Sequence, residues 1–280
     1  MGCCMSGGKR NSNDTGGTAI TNTDPSADGT IPYWSSPGMA SPGTKGNNDT
    51  GGPYAGMSKS AMDNFVPVNT GGKCDGELGA LSAAHESGND PGIVNDDAAG
   101  GTDYGTYQLN TNGAIQNFMK YLSVNDPTTY NNLLSSGSIG SSGFGASWKN
   151  EAATNSNFAD LQGCFMKQCY YDTVVKNMKS RYGVDIDSYP MAVKQGIFGT
   201  AVQFGQNSNI FDKTFSNLPD NATPEDVINK LTDTKLSKTP SGGLAYFTKV
   251  SSSTQVNIAK RFQSERNYML KSVSSSSVES

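Results

Sequence analysis

The chain has 280 residues, of which 34% are hydrophobic and 16% are charged, and its formal net charge is -4 at pH 7. Such a small negative charge gives no general attraction to nucleic acid or to an anionic membrane surface. No apolar run reaches the roughly 20 residues that a membrane-spanning helix needs, and no charged-then-apolar leader marks a secretory signal. We therefore expect no nucleic-acid partner, no stable membrane anchor and no signal peptide.

Residues 1–72 form a segment that is rich in Gly, Ser, Asn, Thr and Asp. Such a segment buries too little apolar surface to offset the entropy that is lost when its backbone is ordered. We expect an extended, low-complexity arm without a fold of its own, which serves for attachment or as a linker. Its aromatic residues Tyr33, Trp34, Tyr54 and Phe65 either dock on a partner or are incidental to a flexible linker.

The most informative stretch begins with an amphipathic segment over residues 77–87. Leu78, Leu81 and Ala84 recur on one face, and this spacing predicts a helix. Gly, Asn and Pro follow closely and end the helix, because Gly accepts a left-handed cap and Pro cannot continue the hydrogen-bond ladder. Glu86 therefore lies in the last turn, where the helix dipole and partial burial both favour its protonated form. This is the environment that a general acid needs near neutral pH. The alternative interpretation is that Glu86 is simply a solvated residue at the end of a helix.

A polar loop follows this helix and leads into a short run of β-forming residues. Residues 93–109 predict a small β-hairpin. Cleavage of a glycosidic bond needs an acid on the leaving oxygen and a second group that stabilises the cation, attacks it or activates water. The candidates for the second group are Asp103, which directly precedes the strand, then Asp97 in the loop, and after them Asp96. Each of these aspartates could instead simply form a turn.

Two short motifs lie at a defined spacing in this stretch. They are Glu86–Gly88 (Glu-Ser-Gly) at the helix end and Gly105–Gln108 (Gly-Thr-Tyr-Gln) after the loop. Together they resemble the lysozyme-like superfamily, which includes goose-type lysozymes, lytic transglycosylases and the muralytic domains of phage virions. The resemblance implies that Glu86 is the catalytic acid and that Ser87, Gly105 and Gln108 bind the substrate. The Ser-x-x-Gly-Ala-x-Gly pattern of lytic transglycosylases is absent, so hydrolase and transglycosylase chemistry both stay open.

Three further residues are candidates for substrate binding. Tyr104 and Tyr107 either stack on sugar rings or pack in the core. Gln203 is a polar residue in an apolar segment, and it either completes the floor of the cleft or satisfies a buried backbone group. The chain has a single histidine and no cluster of Cys and His, so we expect no metal and no other cofactor.

The rest of the chain predicts a mostly helical domain. Residues 191–204 are apolar on several faces, which is typical of a buried central helix. Residues 135–145 predict a Gly/Ser loop. Helices are also predicted over 111–124, from 126, over 158–182, from 223 and over 254–270. Cys164 and Cys169 lie five residues apart on one predicted helix, where a bridge between them is awkward, and we expect both to be free thiols.

Taken together, these features predict a mostly α fold of the α+β lysozyme-like kind: a helical domain with a small β-hairpin lobe and a cleft between them. The arm spans 1–72, the domain 73–272 and a polar tail 273–280. The predicted function is that of a peptidoglycan-cleaving glycosidase, a muramidase or lytic transglycosylase. A phage particle would carry it to the host cell wall and periplasm. Its partners would be peptidoglycan glycan strands and, through the arm, other virion proteins. The alternatives are a non-catalytic structural virion protein and a chitosanase-like or chitinase-like hydrolase.

Overall fold

The computed structural model describes residues 66–74, 76–97, 101–111 and 113–276. These residues are mostly helical and include one small antiparallel sheet, which confirms the expected fold class. The arm aromatics between residues 33 and 65 lie outside the described residues. In chain order the elements are α1 (Ala80–Ser87), β1 (Val94–Asp97), β2 (Gly101–Tyr104), β3 (Leu109–Asn110), α2 (Ala114–Asn125), α3 (Pro127–Leu134), α4 (Ser142–Thr154), α5 (Phe158–Met166), a π-helical turn (Lys167–Tyr171), α6 (Asp172–Tyr182), a 3-10 turn (Ile186–Ser188), α7 (Met191–Phe204), α8 (Asn209–Phe215), α9 (Pro224–Lys235) and α10 (Ser252–Ser276).

Helix α7 lies at the centre of the core, as its apolar sequence predicts. Ile197 and Ala201 are fully buried in it, and the helix contacts α1, α9 and α10. Gly196 permits the close approach of α10, because a Cβ at this position would lie 2.8 Å from Met269 Sδ. The two ends of the folded domain, α1 and α10, are therefore held against the same central helix.

Helix α4 corrects the prediction of a loop over residues 135–145. The helix begins at Ser142, and Ser141 Oγ accepts a hydrogen bond from Phe144 N at 3.1 Å. Phe144 and Trp148 are one turn apart, and both are fully buried. The Ser cap and this aromatic pair outweigh the weak helix propensity of the Gly and Ser residues around them. The predicted loop was therefore wrong over its C-terminal part.

The helix predicted over residues 158–182 is also different from the observed structure. A π-helical turn, Lys167–Tyr171, separates α5 from α6 and widens the backbone locally. As a result Cys169, Tyr170 and Tyr171 are all buried, although they are consecutive in sequence. A regular helix would turn one of the three outward, so a single period could not predict this segment.

The sheet consists of three short antiparallel strands in the order β1-β2-β3. Tyr104 pairs with Val94 on one side and with Leu109 on the other. The short run of β-forming residues after the loop does not form one strand, because the chain makes a tight turn between Tyr104 and Leu109. Gly105 has a φ of 70° and Gln108 a φ of 52°, and Gln108 N donates to Gly105 O at 3.0 Å. The turn places Gly105 against Trp148, where a Cβ would lie 2.7 Å from Cζ2.

Residues 66–74, which we call the strap, lie on the surface of the helical domain. A disulfide joins Cys74 at the end of the strap to Cys164 in α5. The expectation of a free thiol at Cys164 is therefore wrong, because its partner comes from a segment 90 residues away in sequence. Cys169 is free and buried, as expected. At the other end of the domain, α10 continues to Ser276, beyond the predicted helix end at Leu270.

Candidate functional site

Glu86 lies in the last turn of α1, as the sequence predicts. Gly88 ends the helix with a φ of 67°, and Asn89 N donates to Ala83 O at 3.2 Å. Ser87 Oγ donates to the same carbonyl at 3.4 Å and accepts a hydrogen bond from Asp90 N at 3.1 Å. The side chain of Ser87 is therefore used to close the helix end.

The carboxylate of Glu86 takes part in a buried ion network between α1, α9 and α10. Arg261 Nη2 donates to Glu86 Oε1 at 3.2 Å, and Arg261 Nε donates to Glu265 Oε1 at 2.8 Å. Lys235 Nζ donates to the other oxygen of Glu265 at 3.2 Å. The exposed fraction of the Glu86 side chain is only 9%. His85, next to Glu86 in sequence, places its Nε2 3.5 Å from Glu265 Oε1.

Burial and charge have opposing effects on the groups of this network. Burial alone would raise the pKa of Glu265, but the charges of Lys235 and Arg261 lower it to about 2. Burial lowers the pKa of His85 from 6.5 to about 4, although the charge of Glu265 opposes this change. At neutral pH the network therefore holds a neutral His85 beside the charged carboxylate of Glu265.

A small cavity adjoins the network on the side of α7. The space open to the centre of a water molecule is about 10 Å³, which is close to what a single water requires. Gln203, predicted to bind substrate, is 5% exposed and lines this cavity. The other lining residues are Leu81, Ser82, His85, Gln195, Gly196, Gly199, Arg261 and Glu265. A sugar ring is too large for this space.

The sheet and its turn hold Asp103 and Gln108 in hydrogen bonds with neighbouring amides. Asp103 is 6% exposed, and its Oδ1 accepts a hydrogen bond from Asn110 Nδ2 at 2.7 Å. Gln108 is 5% exposed; its Oε1 accepts from Asn95 Nδ2 at 2.6 Å, and its Nε2 donates to Gly105 O at 2.9 Å. Asp97 ends β1, and its side chain, like that of Asp96, lies outside the described residues.

The two tyrosines of the predicted site are part of the core. Tyr104 is 1% exposed, and its ring centroid lies 5.2 Å from those of Phe144 and Trp148. Tyr107 is 7% exposed and packs on Phe198 at 5.7 Å, and burial raises the pKa of its hydroxyl. Within the described residues both rings therefore stabilise the β lobe against the helices.

The sequence of the folded domain matches one family model. The model described as "Type VI secretion system spike protein VgrG3-like, C-terminal" matches residues 78–266, which is more than half of the chain. The chain belongs to this family. No curated protein matches the chain.

Membership of the VgrG3-like family corrects two of the predictions above. The assignment to the lysozyme-like superfamily is wrong, because the matching family is that of a secretion-system spike protein. The predicted function, a peptidoglycan glycosidase in a phage particle, is wrong with it, and the structural alternative fits the family better. The two motifs led to a wrong assignment because they have a structural explanation. Glu86–Gly88 ends a helix and Gly105–Gln108 forms a tight turn, and the left-handed backbone at these places favours glycine without any catalytic role.

Sequence reasoning missed the partners of Glu86 in the VgrG3-like domain. Arg261 and Glu265 lie one turn apart on α10, on the same buried face as Phe262. A charged pair at i, i+4 within an apolar stripe is a signal that could have identified them, because such charges need partners when buried. Lys235 ends α9 and gives no comparable signal. No described helix is long and apolar enough to cross a membrane.

Proposed function

We propose that this chain acts as a terminal structural domain of a type VI secretion spike, and that its partners are spike or other secretion-system components. The observation that carries the proposal is the match to the VgrG3-like C-terminal family over residues 78–266. This match covers α1 and most of α10, and thus nearly the whole of the folded domain.

The environment of Glu86 supports a role without catalysis. One of its carboxylate oxygens accepts a hydrogen bond from Arg261, and the cavity beside the network has room for about one water. A carboxylate engaged in this way joins the first helix of the domain to the last one. We infer that the network serves to keep the two ends of the domain together.

Export of the tagged full chain from its native bacterium tests the proposal. We expect the chain in the culture medium of the parent strain and not in that of a strain whose type VI secretion system is deleted. A Glu86→Gln variant should be exported as well as the wild type, since the proposed role needs no acid. Equal export from the deletion strain would refute the proposal.

A second proposal is that the domain cleaves a glycan, with Glu86 as the acid and Asp103 as the second carboxylate. The observation that favours it is that Glu86 and Asp103 are two buried, hydrogen-bonded carboxyl groups, and glycoside cleavage uses a pair of carboxyl groups. Release of reducing ends from chitosan, chitin oligomers and purified cell-wall glycan would be measured. Glu86→Gln should lower the rate about a hundredfold or more. Glu77→Gln, at an exposed position, is the control. A wild type that releases no ends would refute this proposal and leave the structural one intact.

A further inference from the structure

The strap is held on the helical domain by side-chain amides and by one disulfide. Val68 and Gln168 form a paired contact, in which Val68 N donates to Gln168 Oε1 and Gln168 Nε2 donates to Val68 O, both at 3.0 Å. Thr70 N donates to Asn125 Oδ1 at 2.7 Å. These hydrogen bonds are exposed to solvent, where each one competes with water and contributes little.

The backbone of the strap also follows a path that only glycine permits at one point. Gly72 has a φ of 71°, and a Cβ there would lie 2.8 Å from Leu161 Cδ2. The strap therefore passes closely over α5 and brings Cys74 to Cys164. The disulfide between Cys74 and Cys164 is the covalent link among the described contacts of the strap.

We propose that the disulfide between Cys74 and Cys164 is a redox-sensitive lock on the strap. In the oxidised protein the strap is fixed covalently on α5, and in the reduced protein the exposed hydrogen bonds and the packing of Gly72 on Leu161 remain. The lock thus controls how firmly the residues that precede the folded domain are tied to its surface.

The chemistry of the lock is a thiol–disulfide exchange. On closing, the two thiols lose two protons and two electrons to an oxidised disulfide compound, which is itself reduced to two thiols. On opening, an external dithiol attacks the bridge and is oxidised. Cys74 is exposed and Cys164 is buried, so attack is easier on the side of the strap. Burial raises the pKa of Cys169 to about 12, which disfavours its thiolate and so its exchange with the nearby bridge.

The consequence for the cell rests on the proposed function. A protein made in a reducing cytoplasm keeps its thiols, whereas an oxidising compartment favours disulfides. A domain exported by a secretion system would meet both conditions in turn. The strap would be loose before export and locked after it.

The test compares oxidised and dithiothreitol-reduced full-length protein by amide exchange and thermal unfolding. On reduction we expect the amides of Val68 and Thr70 to exchange about tenfold faster or more through local opening of the strap, while that of Ala201 in α7 stays protected by the folded core. The melting temperature should fall by about 10 °C, because the bridge closes a long loop. Unchanged exchange at Val68 and Thr70 after complete reduction would overturn the proposal.

Two variants serve as matched controls. Cys74→Ser should behave like the reduced wild type and should not respond to dithiothreitol. Gln168→Ala removes the amide clamp, and it should loosen the strap much more in the reduced protein than in the oxidised one. If Gln168→Ala has equal effects in both states, the disulfide is not what holds the strap.

Alkylation of free thiols in producing cells and in exported protein tests whether the disulfide forms only after export. We expect free Cys74 inside the cell and a disulfide outside. A disulfide already formed inside would contradict the consequence drawn for the cell. Failure of export would refute the proposed spike function but not the proposal about the disulfide. The amide-exchange measurements on purified protein test the disulfide without any export.

Discussion

The buried imidazole of His85 makes a specific prediction about stability and pH. It is the single histidine of the chain, and burial lowers its pKa from 6.5 to about 4. In the unfolded chain His85 takes up a proton as the pH falls through 6.5, while in the folded protein it stays neutral until about pH 4. The folded state therefore loses stability on acidification across this window.

The size of the effect follows from these two pKa values. Between about pH 7.5 and about pH 5, proton uptake by the unfolded chain lowers the free energy of unfolding by about 2 kcal/mol. The charged groups that face His85 are Glu265 and Arg261 on α10 and Lys235 on α9. The pKa of Glu265 is lowered to about 2, so this carboxylate keeps its charge throughout the window.

Urea unfolding of the oxidised protein, followed by circular dichroism at both pH values, measures the difference. A His85→Gln variant has no group that titrates at this position, and its free energy of unfolding should change much less between the two values. The slope with urea should be the same for both proteins, which shows that the same surface is exposed. If the wild type is equally stable at both values, or if the variant shows the same loss, the account of His85 is refuted.

Two further substitutions test the packing of the ends of the domain. Glu265→Gln leaves the cations Lys235 and Arg261 buried with less compensation, and it should lower the free energy of unfolding by about 3–5 kcal/mol in urea titrations; a loss below about 1 kcal/mol would contradict the importance of the network. Thr223→Ala removes the capping box of α9 with Asp226 and should cost about 1 kcal/mol, seen as a lower melting temperature; an unchanged melting temperature would show that the cap contributes nothing.

Several elements of the fold could be predicted from local sequence, because their physical causes are local. The apolar faces of residues 191–204 predicted α7 with its observed ends, and Thr223 with Asp226 predicted the start of α9. The end of α1 at Gly88 followed from the same kind of signal. In each of these cases the decisive residues lie within one or two turns of one another.

The interactions that define the candidate site were decided by the tertiary structure. Glu86 acquires its partner Arg261 from a helix 175 residues further along the chain. Cys164 likewise pairs with a cysteine 90 residues away, which made the expected free thiol wrong. No local pattern specifies such pairs, because the packing of α1 and α10 on α7 brings Glu86 to Arg261, and the course of the strap over α5 brings Cys74 to Cys164. The sequence by itself thus determined where helices begin and end, whereas burial and long-range pairing determined what the side chain of Glu86 contacts.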